Sequence, residues 1–315
     1  MKRLALALCL SLALFGCGKE EAPAAAAKVA AAAPQPTGPV QQIEQSLAAL
    51  RDNDVGALMA AAVPKDHLAE MRAEYDKARA EPITDEDRKQ FDESVGKLLA
   101  DGGVDSMMAE FEPKLAEMKA QMPMLIGMGM MVMQQGVQES TELSEAQKAQ
   151  MGQMLTGLQQ WAMGTDFADP ARLRQALEAL KAGVAESGIK SVDDVNALSY
   201  EQMLAKAGPV LGGVKTALSA YGLDVNAVLA SVKPSLMSME GDVAKVKIDY
   251  TLFNTPLSME TELTQKDGFW YSKDALAQLE AEKNGDSGAL AGAEAEGEAA
   301  EGAEGAEDSA AGEQQ

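Results

Sequence analysis

The chain has 315 residues, with 27 basic against 49 acidic side chains, a single histidine and two cysteines. A net charge of −22 repels phosphate backbones and argues against nucleic acid as a partner. The lone His67 cannot supply a multi-histidine metal site or a histidine-based pH switch.

At the start, Lys2 and Arg3 precede an apolar run from Leu4 to Phe15. That run is too short for a permanent membrane span and has the profile of a secretory signal peptide, residues 1–16. It ends in Leu14-Phe15-Gly16-Cys17, which resembles the lipobox of bacterial lipoproteins. The resemblance implies cleavage before Cys17, acylation of that cysteine, and attachment to the bilayer through its lipid. Gly18 in place of aspartate implies delivery to the outer membrane, on its inner leaflet facing the periplasm. Several buried acyl chains, at about 0.8 kcal/mol per methylene, hold a protein almost permanently. Cys9 leaves with the signal and Cys17 carries lipid, so no thiol remains for a disulfide, a cluster or a nucleophile.

Residues 17–40 are rich in alanine and proline without apolar periodicity and read as a flexible tether. Residues 284–315 are almost purely Gly, Ala and Glu and cannot bury enough apolar surface to offset ordering entropy. The folding part is therefore 41–283.

Residues 41–232 read as successive helices. Ile43, Leu47 and Leu50 share a face; Arg51-Asp52-Asn53-Asp54 interrupts before a short second helix ending at Pro64. Asp66 is a candidate cap for a helix running to Ala80. Thr84 with Asp87 forms a capping-box pattern ahead of Phe91, Val95, Leu98 and Leu99. Gly102-Gly103 stops that helix, and Pro113 is expected to kink or divide the one begun at Asp105. Ser144 with Gln147 opens a stripe of Met151, Met154, Leu155, Leu158 and Trp161. Asp169-Pro170 starts a helix carrying Leu173, Leu177, Leu180 and Val184. A last long helix carries Leu204, Ala207, Leu211, Val214, Leu218 and Tyr221, with a break or kink expected at Pro209.

In residues 233–283 the period changes to two. Ala244, Val246, Ile248, Tyr250 and Leu252 alternate with polar residues, as do Leu257, Met259, Thr261 and Leu263. Asn254-Thr255-Pro256 and Lys266-Asp267-Gly268 are turn sequences, Phe269-Trp270-Tyr271 begins a last strand, and Pro234–Met239 can add one in front. The fold class is α+β: a helical body followed by a three- to four-stranded antiparallel meander. The phrase Lys266-Asp267-Gly268-Phe269-Trp270 and the opening IEQSLAALRDNDVGALMAAAV resemble the SnoaL-like α+β roll domains of envelope lipoproteins over a quarter of the chain. That resemblance carries no catalytic residues, because such a fold hosts enzymes and inert binding modules alike.

Methionine is the unusual feature. Of 19 methionines, twelve lie between Met107 and Met163, most densely at Met118, Met122, Met124, Met128, Met130, Met131 and Met133. Three readings fit. A segment apolar on all sides belongs in a core, where methionine fills irregular gaps. Flexible thioethers also make an adaptable surface for hydrophobic ligands or clients, and they are soft ligands for Cu(I), although no cysteine or histidine assists here. The first is the expectation, and no metal or cofactor is implied.

Other features have simpler explanations. His67 reads as an exposed residue in a capping turn. Asp52, Asp54 and Gly56 lack the later ligands of a calcium loop, and Asp85, Glu86 and Asp87 suit a helix N-terminus. Trp161 and Trp270 read as core anchors, and no nucleophile elbow, phosphate loop, dinucleotide fingerprint or zincin sequence is present. The expected function is a non-enzymatic, membrane-anchored binding module whose partner is an envelope protein or a hydrophobic ligand. The alternative is a carrier that uses residues 118–133, ahead of a Met-based Cu(I) binder or a carboxylate enzyme.

Overall fold

The structure is a computed structural model that describes residues 38–140 and 145–283. The expected signal peptide, Cys17, the expected tether up to residue 37, the expected Ser144 cap and the acidic residues from 284 on lie outside the described residues.

Pro39 occupies the first turn of α1 (Pro39–Arg51), where its missing N–H costs nothing, so the helix begins two residues inside the expected tether. Asn53 turns the chain with φ 57°, and Asp54 caps α2 (Val55–Ala62) by accepting from the Ala57 N–H at 2.8 Å. The cap of α3 (Lys65–Ala80) is Pro64 rather than Asp66. Asp66 lies inside the first turn and accepts from Lys266 Nζ at 2.8 Å, where its charge also suits the helix N-terminus. Thr84 and Asp87 form the expected reciprocal capping box on α4 (Asp85–Phe91). That helix widens into a π-helical turn at Asp92–Gly96 before α5 (Lys97–Leu99).

The next element departs from expectation. Helix α6 (Gly103–Glu139) runs 37 residues through both Pro113 and Pro123, neither of which divides it. Each proline removes one backbone hydrogen bond, yet Leu115, Met130 and Val137 are buried along the same helix, so packing outweighs the local loss. Helix α7 (Glu145–Gly164) returns alongside it. Lys148 donates to the Gln138 carbonyl at one end, and Lys119 pairs with Asp166 at the other. Asp169 and Pro170 begin α8 (Pro170–Ser187) as expected, the carboxylate accepting from the Ala171 N–H. Short α9 (Val192–Ala197) leads to α10 (Tyr200–Ala220), which passes through Pro209 without a break, and then to α11 (Val225–Ser231).

Helices α8 and α10 pack closest. A Cβ on Gly183 would lie 2.6 Å from the Pro209 carbonyl oxygen and 2.9 Å from the Gly213 Cα. Only hydrogen fits at that crossing. Leu98, Val104 and Met108 pack against Leu177, and Val55 packs against Ala207 and Leu211.

The meander follows in sequence order: β1 (Lys233–Glu240), β2 (Val243–Leu252), β3 (Thr255–Lys266) and β4 (Phe269–Ser272), all antiparallel. Alternation along β2 sends Ala244 and Val246 inward with Leu263 and Trp270, against Val40 and Ile43 of α1. Outward, Lys245 and Lys273 both pair with Glu262. The fold class is therefore α+β, with a helical body and a C-terminal four-stranded meander. The strands end at Ser272, earlier than the boundary at 283. The last described element is α12 (Lys273–Lys283).

Candidate functional site

The candidate site lies on α6, where the sequence concentrates its methionines. Residues Gln121 to Gln138 carry no charged side chain. At 100° per residue, Ile126, Met130 and Val137 share one face. That face packs on Met151, Leu155 and Leu158 of α7, with Leu155 only 1% exposed. The opposite face presents Met124, Leu125, Met128, Met131 and Val132, all exposed.

The methionine segment is thus neither wholly core nor wholly surface, which corrects the expectation of a buried helix or hairpin. Met130 is buried and Met122 half-buried, whereas Met118, Met124, Met128, Met131 and Met133 are exposed. Met130 lies on the face opposite Met124, Met128 and Met131 and does not meet them at a common centre. Among the described residues, no three His, Cys, Asp or Glu side chains cluster as a metal site.

Beside the packed face, α6 opens an apolar cleft of about 530 Å³. Its lining is Phe111, Leu115, Met118, Met122 and Ile126 from α6, Ala162 from α7, Phe167 from the following loop, Leu173 from α8 and Tyr221 after α10. Its volume falls within the ~300–1,000 Å³ of small-molecule sites, but it is an open groove on the surface and not an enclosed cavity. An aromatic group supports it. Phe167 stacks on Tyr221 with centroids 5.6 Å apart, Trp161 meets Phe167 edge to face at 5.3 Å, and Phe253 stacks on Trp161 at 5.1 Å. Trp161 is held by donating from Nε1 to the Tyr221 carbonyl at 3.0 Å. It is therefore a half-buried support for the cleft rather than a core anchor, while Trp270 is buried as expected.

Polar groups stay at the edge. Lys119 hydrogen-bonds Asp166, which raises the lysine pKa and lowers that of the carboxyl. Arg172 donates to the Ala220 carbonyl at 3.1 Å and lies 3.7 Å from Asp169. Tyr221 supplies the one titratable group in the lining, and burial pushes its phenol upward, away from neutral pH. A lining of this kind is compatible with an apolar group.

Elsewhere, the remaining candidates have structural roles. His67 is half-buried rather than exposed, its Nδ1 3.5 Å from Glu70. Asp52 pairs with Arg51, Asp54 caps α2, and Asp85, Glu86 and Asp87 fill the first turn of α4. Edge strand β1 exposes Leu236, Met237 and Met239, but Lys233, Pro234 and a register shift between Leu236 and Ser238 blunt it against further pairing.

Sequence reasoning named Met118 and Met122 but missed the rest of the cleft. Leu173 and Tyr221 read there only as members of helical stripes. The available signal was the spacing of Phe111, Leu115, Met118 and Met122 along one flank of α6.

No protein family, no curated protein and no solved structure matches this chain.

Proposed function

We propose that this protein is a non-enzymatic lipoprotein of the bacterial envelope, anchored through acylated Cys17, that binds hydrophobic ligands in the α6–α7–α8 cleft. The observation that carries the reading is the open, carbon-lined cleft of about 530 Å³. A closed, methionine-filled core would have left only the less specific reading of an interaction module. The ligand class is a mainly aliphatic or aromatic group, because Tyr221 is the one side chain of the lining with a polar atom. No described helix is long and apolar enough to cross a membrane, and the Cys17 lipid supplies attachment in this reading.

A long-chain fluorescent fatty acid tests the binding. The mature protein should bind it saturably, and Met122→Glu, which places a charge in the lining, should weaken binding about tenfold or more, since an unpaired charge in apolar surroundings costs several kcal/mol. Equal affinity in both proteins sinks the cleft. The anchor has its own test: mass spectrometry of the mature amino terminus should find acylated Cys17, and a Cys17→Ser protein should leave the membrane fraction.

A further inference from the structure

The cleft uses one flank of α6 and the packing on α7 uses the next; the third face has no partner within the described chain. Met124, Met128 and Met131 recur at i, i+4 and i+7 in a single stripe, with Leu125 and Val132 beside it. Their exposures run from 51% to 67%. Isolated exposed apolar residues need no explanation, but five contiguous ones on an uncharged stretch do. Met118, 40% exposed, lines the cleft and lies less than two turns before Met124 on the same helix.

We propose that this strip docks on the surface of a lipid bilayer, with α6 lying in the boundary between headgroups and acyl chains. Anchoring at Cys17, on which the choice of occupant rests, leaves residues 18–37 between the lipid and the start of the described fold. Twenty residues reach at most roughly 70 Å and as a flexible coil average about 25 Å. The body is thereby confined near a bilayer at high effective concentration, and a weak docking surface suffices. Charge narrows the choice further. The chain carries −22 overall, so a second copy is repelled as a whole, whereas a zwitterionic bilayer meets the uncharged strip without that cost. The strip is the part of the surface that escapes this. Gln121, Gln134, Gln135 and Gln138 flank it with neutral groups able to hydrogen-bond at a hydrated interface. Methionine side chains adapt to a fluid partner without fixed shape. No described helix crosses a membrane, so docking is lateral.

The test uses the mature full-length chain with Cys17→Ser, which removes the lipid, and phosphatidylcholine vesicles. Cosedimentation should detect the parent on vesicles, and Met124→Gln, Met128→Gln and Met131→Gln together should reduce partition about tenfold or more. A thiol-reactive environment-sensitive dye on Met128→Cys, then the sole cysteine, should shift to the blue when vesicles are added. Absence of the parent from vesicles, partition unchanged in the triple variant, or a strip-dependent dimer in sedimentation equilibrium overturns docking. The readings fail separately. A triple variant that still binds the fatty acid isolates the strip from the cleft, and an unlipidated native amino terminus removes the anchor without touching vesicle binding.

Discussion

The α8–α10 pair and the α6–α7 pair are both built from long helices with apolar faces, yet they use those faces differently. At the α8–α10 crossing, Gly183 and Gly213 bring the backbones into contact, and Leu211 beside it is 2% exposed. Lys215, only 3% exposed, ties α10 to the end of α1 by donating to the Leu50 carbonyl and to Asn53 Oδ1, both at 3.0 Å. Along α6, by contrast, a Cβ added at Gly127, Gly129 or Gly136 meets nothing within 4 Å. One pair is closed by shape and the other leaves apolar area available. Hydrophobicity alone does not separate them; what faces each helix does.

The contrast can be broken most forcefully at adjacent methionines. Met130→Gln should destabilise the fold by about 2–4 kcal/mol through lost burial and an unpaired amide, whereas Met131→Gln should change stability by less than about 0.5 kcal/mol. Urea unfolding of the two variants reads the difference, and equal losses would mean that the α6 faces are misassigned.

Gly183→Ala should cost roughly 1–3 kcal/mol, because its new methyl meets backbone that cannot yield. Gly127→Ala and Gly129→Ala should each stabilise by about 0.5–1 kcal/mol through helix propensity. The same chemical change thus has opposite signs in the two regions, which thermal denaturation can resolve.

Lys215 sharpens the comparison by pH. Burial lowers its pKa from 10.5 to about 7. Between those values the unfolded chain holds a proton that the native state has released. Stability from this group therefore rises with pH above 7, by at most about 1.4 kcal/mol per unit, and is flat below it. Chemical denaturation from pH 6 to 9.5 should show that slope, and Lys215→Met should remove it. An unchanged slope would place the titration elsewhere.

A modest effect is expected at the helix start. Asp169→Ala should cost about 1 kcal/mol by removing the bond to the Ala171 N–H, and Asp169→Asn should recover most of it.

Local chemistry made much of this legible. The Thr84–Asp87 box, the Asp169-Pro170 start and the period-two alternation of Ala244, Val246 and Ile248 involve neighbours in sequence, and each appears where the pattern places it. The lipobox and tether are also sequence readings, and they rest on residues outside the described fold. Tertiary packing decided the rest. Pro113, Pro123 and Pro209 each lack an N–H and locally argue for a break, but burial along α6 and α10 holds both helices continuous. The run from 122 to 133 has no polar side chain on any face, so periodicity could not say which methionines would be buried. The return of α7 covers one face, and Phe167, Leu173 and Tyr221 close a cleft beside it from residues far apart in the chain. Composition placed the methionines together; only the position of their neighbours separated core, cleft and open strip.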